Sequence, residues 1–153
     1  MSRVIVLDAG PLGLLTGPKK TDETIAAAHW ATRARTEGHR LVVPAVADFE
    51  VRRELERAGK LEGLARLDTF NTAAPDRFLS ITDSALRLAA KLWARARNAG
   101  RPTADPKELD TDVIIAAQAL DMGIPSSDLV IATTNVGHLS QFANAELWQD
   151  VLP

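Results

Sequence analysis

Hydrophobic residues in this chain form short apolar runs that alternate with longer amphipathic segments. The runs at 4–7, 41–43 and 129–132 are rich in β-branched residues and predict strands that are buried on both faces. A run at 78–81 predicts another strand, and the tail 145–151 can add a last one. Strands of this kind belong to parallel sheets, so the alternation predicts an α/β fold with right-handed crossovers and four to five strands.

The amphipathic segments between these runs predict five helices. They are expected over 22–36, 44–59, 61–71, 83–100 and from Asp110 or Asp112 to Gly123. In the second helix Val46, Phe49 and Leu55 are expected on the buried side, and in the fourth Leu86, Ala89, Ala90 and Trp93. The segments 8–11, 101–106 and 133–135 are expected to be turns or loops.

Composition narrows the class of protein. With 153 residues, 46% of them hydrophobic, the chain can build the core of one domain, expected to span residues 1–153. The absence of cysteine excludes disulfides, thiolate zinc sites and cysteine nucleophiles. The first apolar run is too short for a signal peptide or a membrane span, so we expect a cytoplasmic protein without membrane contact.

The formal net charge of −2 argues against a protein that coats nucleic acid through a large basic excess. A local basic patch stays open, because arginines cluster along the sequence and their planar fork suits phosphate oxygens. The clusters are 33/35/40, 52/53/57 and 95/97/101. Solvated helix faces explain such clusters equally well.

Polar side chains follow the predicted strands, where α/β sheets bind their ligands. Asp8 follows the first strand and Asn135 the fourth, while Glu50 lies in the helix after the second and Asp112 heads a very apolar helix. Three converging carboxylates and an amide would make an all-oxygen site, which prefers Mg²⁺ or Mn²⁺ to zinc. Such a cation polarises a phosphoryl oxygen and lowers the pKa of water, so the pattern points to phosphodiester hydrolysis.

Each of these residues also has a purely structural interpretation. Asp8, Asp110 and Asp112 are all suited to cap a helix. Glu50 can pair with Arg53 on the helix surface, and Asn135 is typical of a turn. These alternatives remain open at this point.

Taken together, four stretches resemble the PIN-domain family, and VapC-type toxin nucleases in particular. They are 6–12 (VLDAGPL), 43–50 (VPAVADFE), 112–120 (DVIIAAQAL) and 131–135 (IATTN). The resemblance implies a three-layer α/β/α sandwich and an acidic pocket that binds Mg²⁺ or Mn²⁺. In that pocket water would cleave RNA to leave a 5′-phosphate and a 3′-hydroxyl. It also implies neutralisation by a protein antitoxin, and homodimers are common in the family.

By the same resemblance Asp8, Glu50 and Asp112 take the three acidic positions, with Asp110 as second choice for the third. Asn135 takes the fourth position and Thr133 the hydroxyl position that helps to hold the site. Many members carry aspartate at the fourth position, so the pocket here lacks one negative charge. Asp105, Glu108 and Asp110 are the nearby candidates to compensate for it. A second metal should therefore bind more weakly.

Two other functions compete with this one. An aspartate-dependent phosphatase would also place a nucleophilic aspartate after the first strand, but Gly10 stands where its second aspartate belongs. The second competing function is that of a PIN-fold protein that binds RNA or a protein partner and has weak or no catalytic activity. Three retained carboxylates argue against it, because buried like charges repel one another when no cation joins them.

Overall fold

The structure is a computed structural model that describes residues 2–100 and 106–152. Five parallel strands form one sheet in the order β3-β2-β1-β4-β5. Their bounds are β1 Val4–Leu7, β2 Arg40–Pro44, β3 Phe78–Leu79, β4 Leu129–Thr133 and β5 Ala145–Leu147. The predicted α/β fold with a parallel sheet is confirmed.

Helices connect the strands. The α-helices within the described residues are α1 Ala9–Thr16, α2 Asp22–Thr36, α3 Ala45–Arg57, α4 Leu61–Thr72, α5 Asp83–Asn98, α6 Pro106–Asp121, α7 Val136–Leu139 and α8 Trp148–Val151. A 3₁₀ turn over Ser126–Asp128 leads into β4. None of the helices in the two described ranges has the length and apolarity that a membrane span requires.

The central strand β1 separates two hydrophobic clusters, because successive side chains of a strand point to opposite faces. Ile5 and Leu7 belong to a cluster that includes Trp30 of α2, whereas Val6 packs with Ile115 of α6 on the other face. Helices therefore cover both faces of the sheet. This burial explains why the strand sequence is apolar throughout.

Several predicted boundaries were wrong. A turn was expected at 8–11, yet α1 begins at Ala9 directly after the first strand. The helix expected to begin at Asp110 or Asp112 begins at Pro106, so neither aspartate caps it. The third strand ends at Leu79, and the tail divides into β5 and α8. Of the predicted loop at 101–106, residues 101–105 lie outside the described residues.

Two predicted helix faces were also partly wrong. Phe49 is 55% exposed although it was expected in the core. Leu86 and Trp93 are exposed as well, because α5 buries Ala85, Ala89, Leu92 and Ala96. The buried stripe of α5 is mostly alanine, which lets α5 pack close to α6, while Leu86 and Trp93 lie at the edge of the contact.

Candidate metal centre

Asp8 lies at the carboxyl end of β1, the central strand, where the sheet opens toward the candidate site. One carboxylate oxygen, Oδ1, accepts a hydrogen bond from the Ala9 backbone N–H at 2.8 Å, so Asp8 caps α1. The other, Oδ2, accepts a hydrogen bond from the Thr133 hydroxyl at 2.7 Å. Burial raises the pKa of Asp8, and these two hydrogen bonds act in the opposite direction. The carboxylate is thus fixed in orientation.

Glu50 is the sixth residue of α3, the helix that follows β2 without a loop. Its Oε1 atom is buried and accepts no hydrogen bond from the described residues. Burial raises the pKa of Glu50 to about 7, assisted mainly by the charge of Asp8, while Arg53 acts in the opposite direction. A buried carboxylate oxygen without a donor is costly unless a cation, a proton or a water satisfies it.

Asp112 approaches the same place from α6. Burial raises its pKa to about 6, and the charge of Asp8 contributes in the same direction. His138 of α7 lowers the pKa of Asp112, whereas Glu108 raises it. The charge of Asp8 contributes to the pKa shifts of both Glu50 and Asp112. The three predicted carboxylates are therefore close enough to repel one another.

Thr133 and Asn135 follow β4 beside Asp8. Thr133 is fully buried, and its hydroxyl accepts a hydrogen bond from the Asn135 backbone N–H at 3.1 Å while it donates to Asp8. The side-chain oxygen of Asn135 accepts a hydrogen bond from the Gly137 N–H at 3.1 Å and so caps α7. The expected structural role of Asn135 is therefore present, and its role as a ligand stays a prediction.

Glu108 and His138 are the site residues that the sequence interpretation undervalued. Glu108 was placed on a loop, but it lies on α6 four residues before Asp112 and therefore on the same face. Its charge acts on both Glu50 and Asp112. The i, i+4 spacing was the available signal, and it went unused because the helix was started too late. Asp110 instead lines a cleft between α5 and α6 with Trp93, and Asp105 lies outside the described residues.

The donor set fits a hard divalent cation. Within the ranges 2–100 and 106–152, no group of three or more acidic or histidine side chains is arranged closely enough to hold a metal ion. However, the carboxylates of Asp8, Glu50 and Asp112 are mutually coupled, and Glu50 Oε1 has no donor among the described residues. Oxygen ligands of this kind match Mg²⁺ or Mn²⁺, whose positive charge would relieve both the repulsion and the orphaned oxygen.

Comparison with known proteins identifies the family to which this arrangement belongs. The model of the PIN domain family matches residues 5–143, a range that contains Asp8, Glu50, Asp112 and Asn135. The chain belongs to the PIN-domain family. PIN domains are generally nucleases, and they generally use divalent metals. The family resemblance of the sequence is confirmed.

Solved structures share the fold of this PIN domain. VapBC2 from Rickettsia felis, bound to a promoter DNA fragment, contains a chain that is 13% identical with a TM-score of 0.67, covering 95% of this chain and 98% of that one. A chain of FitAcB from Neisseria gonorrhoeae is 18% identical with a TM-score of 0.66, and the match covers 96% of this chain and 99% of that one. A chain of DNA-bound VapBC from Salmonella typhimurium is 17% identical with a TM-score of 0.64, and the match covers 97% of this chain and 99% of that one. No curated protein sequence matches this chain significantly.

Packing around Gly10 of this PIN domain argues against the phosphatase alternative. A Cβ atom added at Gly10 would lie 2.6 Å from the Thr134 side chain, closer than real Cβ atoms approach such groups. A side chain at this position would therefore require the Thr134 side chain to shift. The second aspartate of that mechanism is absent from this position, which glycine occupies.

A groove between α1 and α3 leads to Glu50 in this PIN domain. Its volume is about 580 Å³, and its lining includes Glu50, Arg53, Arg57 and Lys60. The Arg53 guanidinium lies 5.3 Å from the centre of the exposed Phe49 ring, while Arg57 pairs with Glu54. Arg53 thus presents a cation beside Glu50, and its charge acts on that carboxyl group.

Proposed function

We propose that this PIN domain is a metal-dependent endoribonuclease that hydrolyses RNA phosphodiester bonds and comprises the whole chain. The observation that carries the proposal is the buried Glu50 oxygen that has no donor among the described residues, within reach of the charges of Asp8 and Asp112. In this proposal Asp8, Glu50 and Asp112 hold Mg²⁺ or Mn²⁺. Asn135 is the fourth ligand position, and Thr133 holds Asp8 in place.

The residues of the chain would then divide the work. When bound, the cation would act as a Lewis acid on the phosphodiester and lower the pKa of the attacking water. The Asp8 carboxylate stays oriented because Thr133 and Ala9 donate to its two oxygens. Arg53, next to Glu50, binds a phosphate of the substrate strand and keeps it aligned with the carboxylates. The expected products carry a 5′-phosphate and a 3′-hydroxyl.

We further propose that the biological role is that of the toxin in a toxin–antitoxin pair. Support comes from the fold shared with chains of the VapBC and FitAB complexes over nearly their whole length. The expected partners are an RNA substrate and a protein antitoxin, and a homodimer is one assembly open to the chain. The gene neighbourhood tests the antitoxin: a small open reading frame directly upstream should encode a protein that suppresses both cleavage and growth arrest when the two are co-expressed.

Substitution of the carboxylates tests the enzymatic proposal. Asp8→Asn and Glu50→Gln should each lower Mg²⁺-dependent cleavage of single-stranded or structured RNA at least about 100-fold, because each removes a ligand charge. Addition of EDTA should stop cleavage by the wild type. The assay measures fragments of a labelled RNA on a denaturing gel, and circular dichroism checks that each variant is folded.

Asp110→Asn is the matched control. Asp110 lines the α5–α6 cleft, so this variant should cleave RNA at the wild-type rate. Undiminished cleavage by either carboxylate variant, or hydrolysis that persists in chelator, would refute the metal mechanism. A wild type that binds RNA but does not cleave it with Mg²⁺ or Mn²⁺ would favour the alternative of a catalytically weak binding protein.

A further inference from the structure

A second cleft is lined by three arginines. It has a volume of about 370 Å³ and lies between the C-terminal part of α2, α4 and the segment before β3. Arg35, Arg66 and Arg77 line it together with Thr69 and Phe70, and no acidic residue is part of the lining. None of the residues of the metal centre contributes to this cleft, so what it binds is independent of the proposed function.

Arg77 is the anchor of the cleft. It is 2% exposed, yet its guanidinium forms no ion pair with a carboxylate of the described residues. It donates a hydrogen bond to the Phe70 carbonyl at 3.2 Å and lies 4.5 Å from the centre of the Phe70 ring, while its Nε has no acceptor. Buried charges in proteins are normally paired, so an uncompensated guanidinium indicates a missing anion.

The other two arginines are also without a carboxylate among the described residues. Arg35 donates to the Thr32 hydroxyl at a long 3.4 Å and lies in the last turn of α2, where the helix dipole favours a cation. Arg66 is exposed on α4 and forms no ion pair with the described residues. Asp68, on the same helix, pairs with Arg52 instead. Three like charges converge here although acidic residues are available nearby in sequence.

We infer that this cleft is an anion site that binds a phosphate group, with Arg77 as the buried anchor and Arg35 and Arg66 closing over it. Guanidinium groups bind phosphate oxygens in bidentate geometry, and three of them more than neutralise the two negative charges of a phosphate dianion. The volume suffices for one phosphate or a phosphate with an attached nucleoside. The phosphate can belong to a free nucleotide or to a nucleic-acid backbone, and the recognised chemistry is the same.

Thermal unfolding tests this inference. The protein is kept in phosphate-free buffer with EDTA, so that no divalent cation can carry phosphate to the carboxylates. Inorganic phosphate at 10 mM should raise Tm by roughly 3 °C relative to potassium chloride of equal ionic strength, as expected for a Kd of about 1 mM. Arg77→Met should abolish this rise without lowering Tm in phosphate-free buffer, because it removes an uncompensated charge.

Arg66→Gln provides a second variant, since it is exposed and should fold even if Arg77→Met does not; we expect it to reduce the rise by at least half. Arg87→Gln, an exposed arginine on α5, is the matched control and should respond like the wild type. Adenosine 5′-monophosphate and a short RNA without terminal phosphates distinguish the two sources of the group. A phosphate effect no larger than that of chloride, or the same rise in wild type and both variants, would overturn the inference.

Discussion

At the scale of single residues, the Thr133 hydroxyl connects the ends of β4 and β1. It donates a hydrogen bond to Asp8 at 2.7 Å and accepts one from the Asn135 backbone N–H. It therefore fixes both the Asp8 carboxylate and the turn after β4. Replacement by valine keeps the shape but removes both hydrogen bonds. Because a hydrogen bond to a charged group contributes about 1.5–3 kcal/mol, we expect Thr133→Val to lower kcat about 10- to 100-fold.

The Thr133 prediction separates positioning from general damage to the fold. Loss of the hydroxyl removes an interaction that lowers the pKa of Asp8, so the acid limb of the cleavage rate should move to higher pH. Thr133→Ser should restore most of the activity. A valine variant with the pH profile and rate of the wild type would show that the hydroxyl has no part in catalysis.

The sequence predicted which carboxylates form the acidic cluster, but it did not predict what surrounds them. Asp8 was chosen because it follows a strand, Asp112 because it was expected to head an apolar helix, and Glu50 because it lies in the helix after the second strand. The charges of Asp8 and Asp112 both act on Glu50 in the structure. Glu108 was undervalued, because its side chain reaches the cluster only if α6 begins before Asp110. The orphaned oxygen of Glu50 depends on three-dimensional packing that no single sequence pattern contains.

At the scale of secondary-structure elements, a buried polar network ties α3 to α4. The Asp48 carboxylate accepts hydrogen bonds from Arg52 at 2.9 and 3.0 Å and from Asn71 at 2.8 Å. Arg52 also reaches Asp68 at 2.7 Å. Because Asp48 lies two residues before Glu50 on α3, this network helps to fix the helix that carries the glutamate.

We expect Asp48→Ala to lower the free energy of unfolding by about 2 kcal/mol, since it strands a partly buried guanidinium and a buried amide. Asp68→Ala removes a surface partner of the same arginine and should cost less than about 1 kcal/mol. Urea unfolding of both variants measures the difference. Equal losses would mean that the network is a surface feature without influence on α3.

Elements were predictable where burial alone determines them and unpredictable where neighbours do. The strands were found because runs such as 129–132 are apolar on both faces. Helix α1 was missed because its sequence, AGPLGLLT, contains glycine and proline and has little helix propensity. Its cap at Asp8 and its packing against α2 and α3 stabilise it instead. Phe49 was misplaced because nothing local shows which of two helix faces meets the core.

At the scale of the whole molecule, the acidic centre makes stability depend on pH. The pKa of Glu50 rises from 4.5 to about 7, and that of Asp112 from 3.8 to about 6. Both groups bind their protons more tightly in the folded chain than in the unfolded one. Between about pH 4 and pH 7 the folded state therefore holds more protons, and by linkage its stability falls as pH rises through this range.

We therefore expect Tm in EDTA to decrease between pH 5 and pH 7.5 by roughly 5 °C, corresponding to about 2 kcal/mol after allowance for the solvent exposure of these groups. Glu50→Gln cannot ionise and should flatten the curve by about half. Mg²⁺ should raise Tm more at pH 7.5 than at pH 5, because it replaces protons that are bound only in acid. Scanning calorimetry of both proteins at several pH values measures these effects. Parallel curves of Tm against pH for wild type and variant would show that the folded state does not raise the pKa of Glu50.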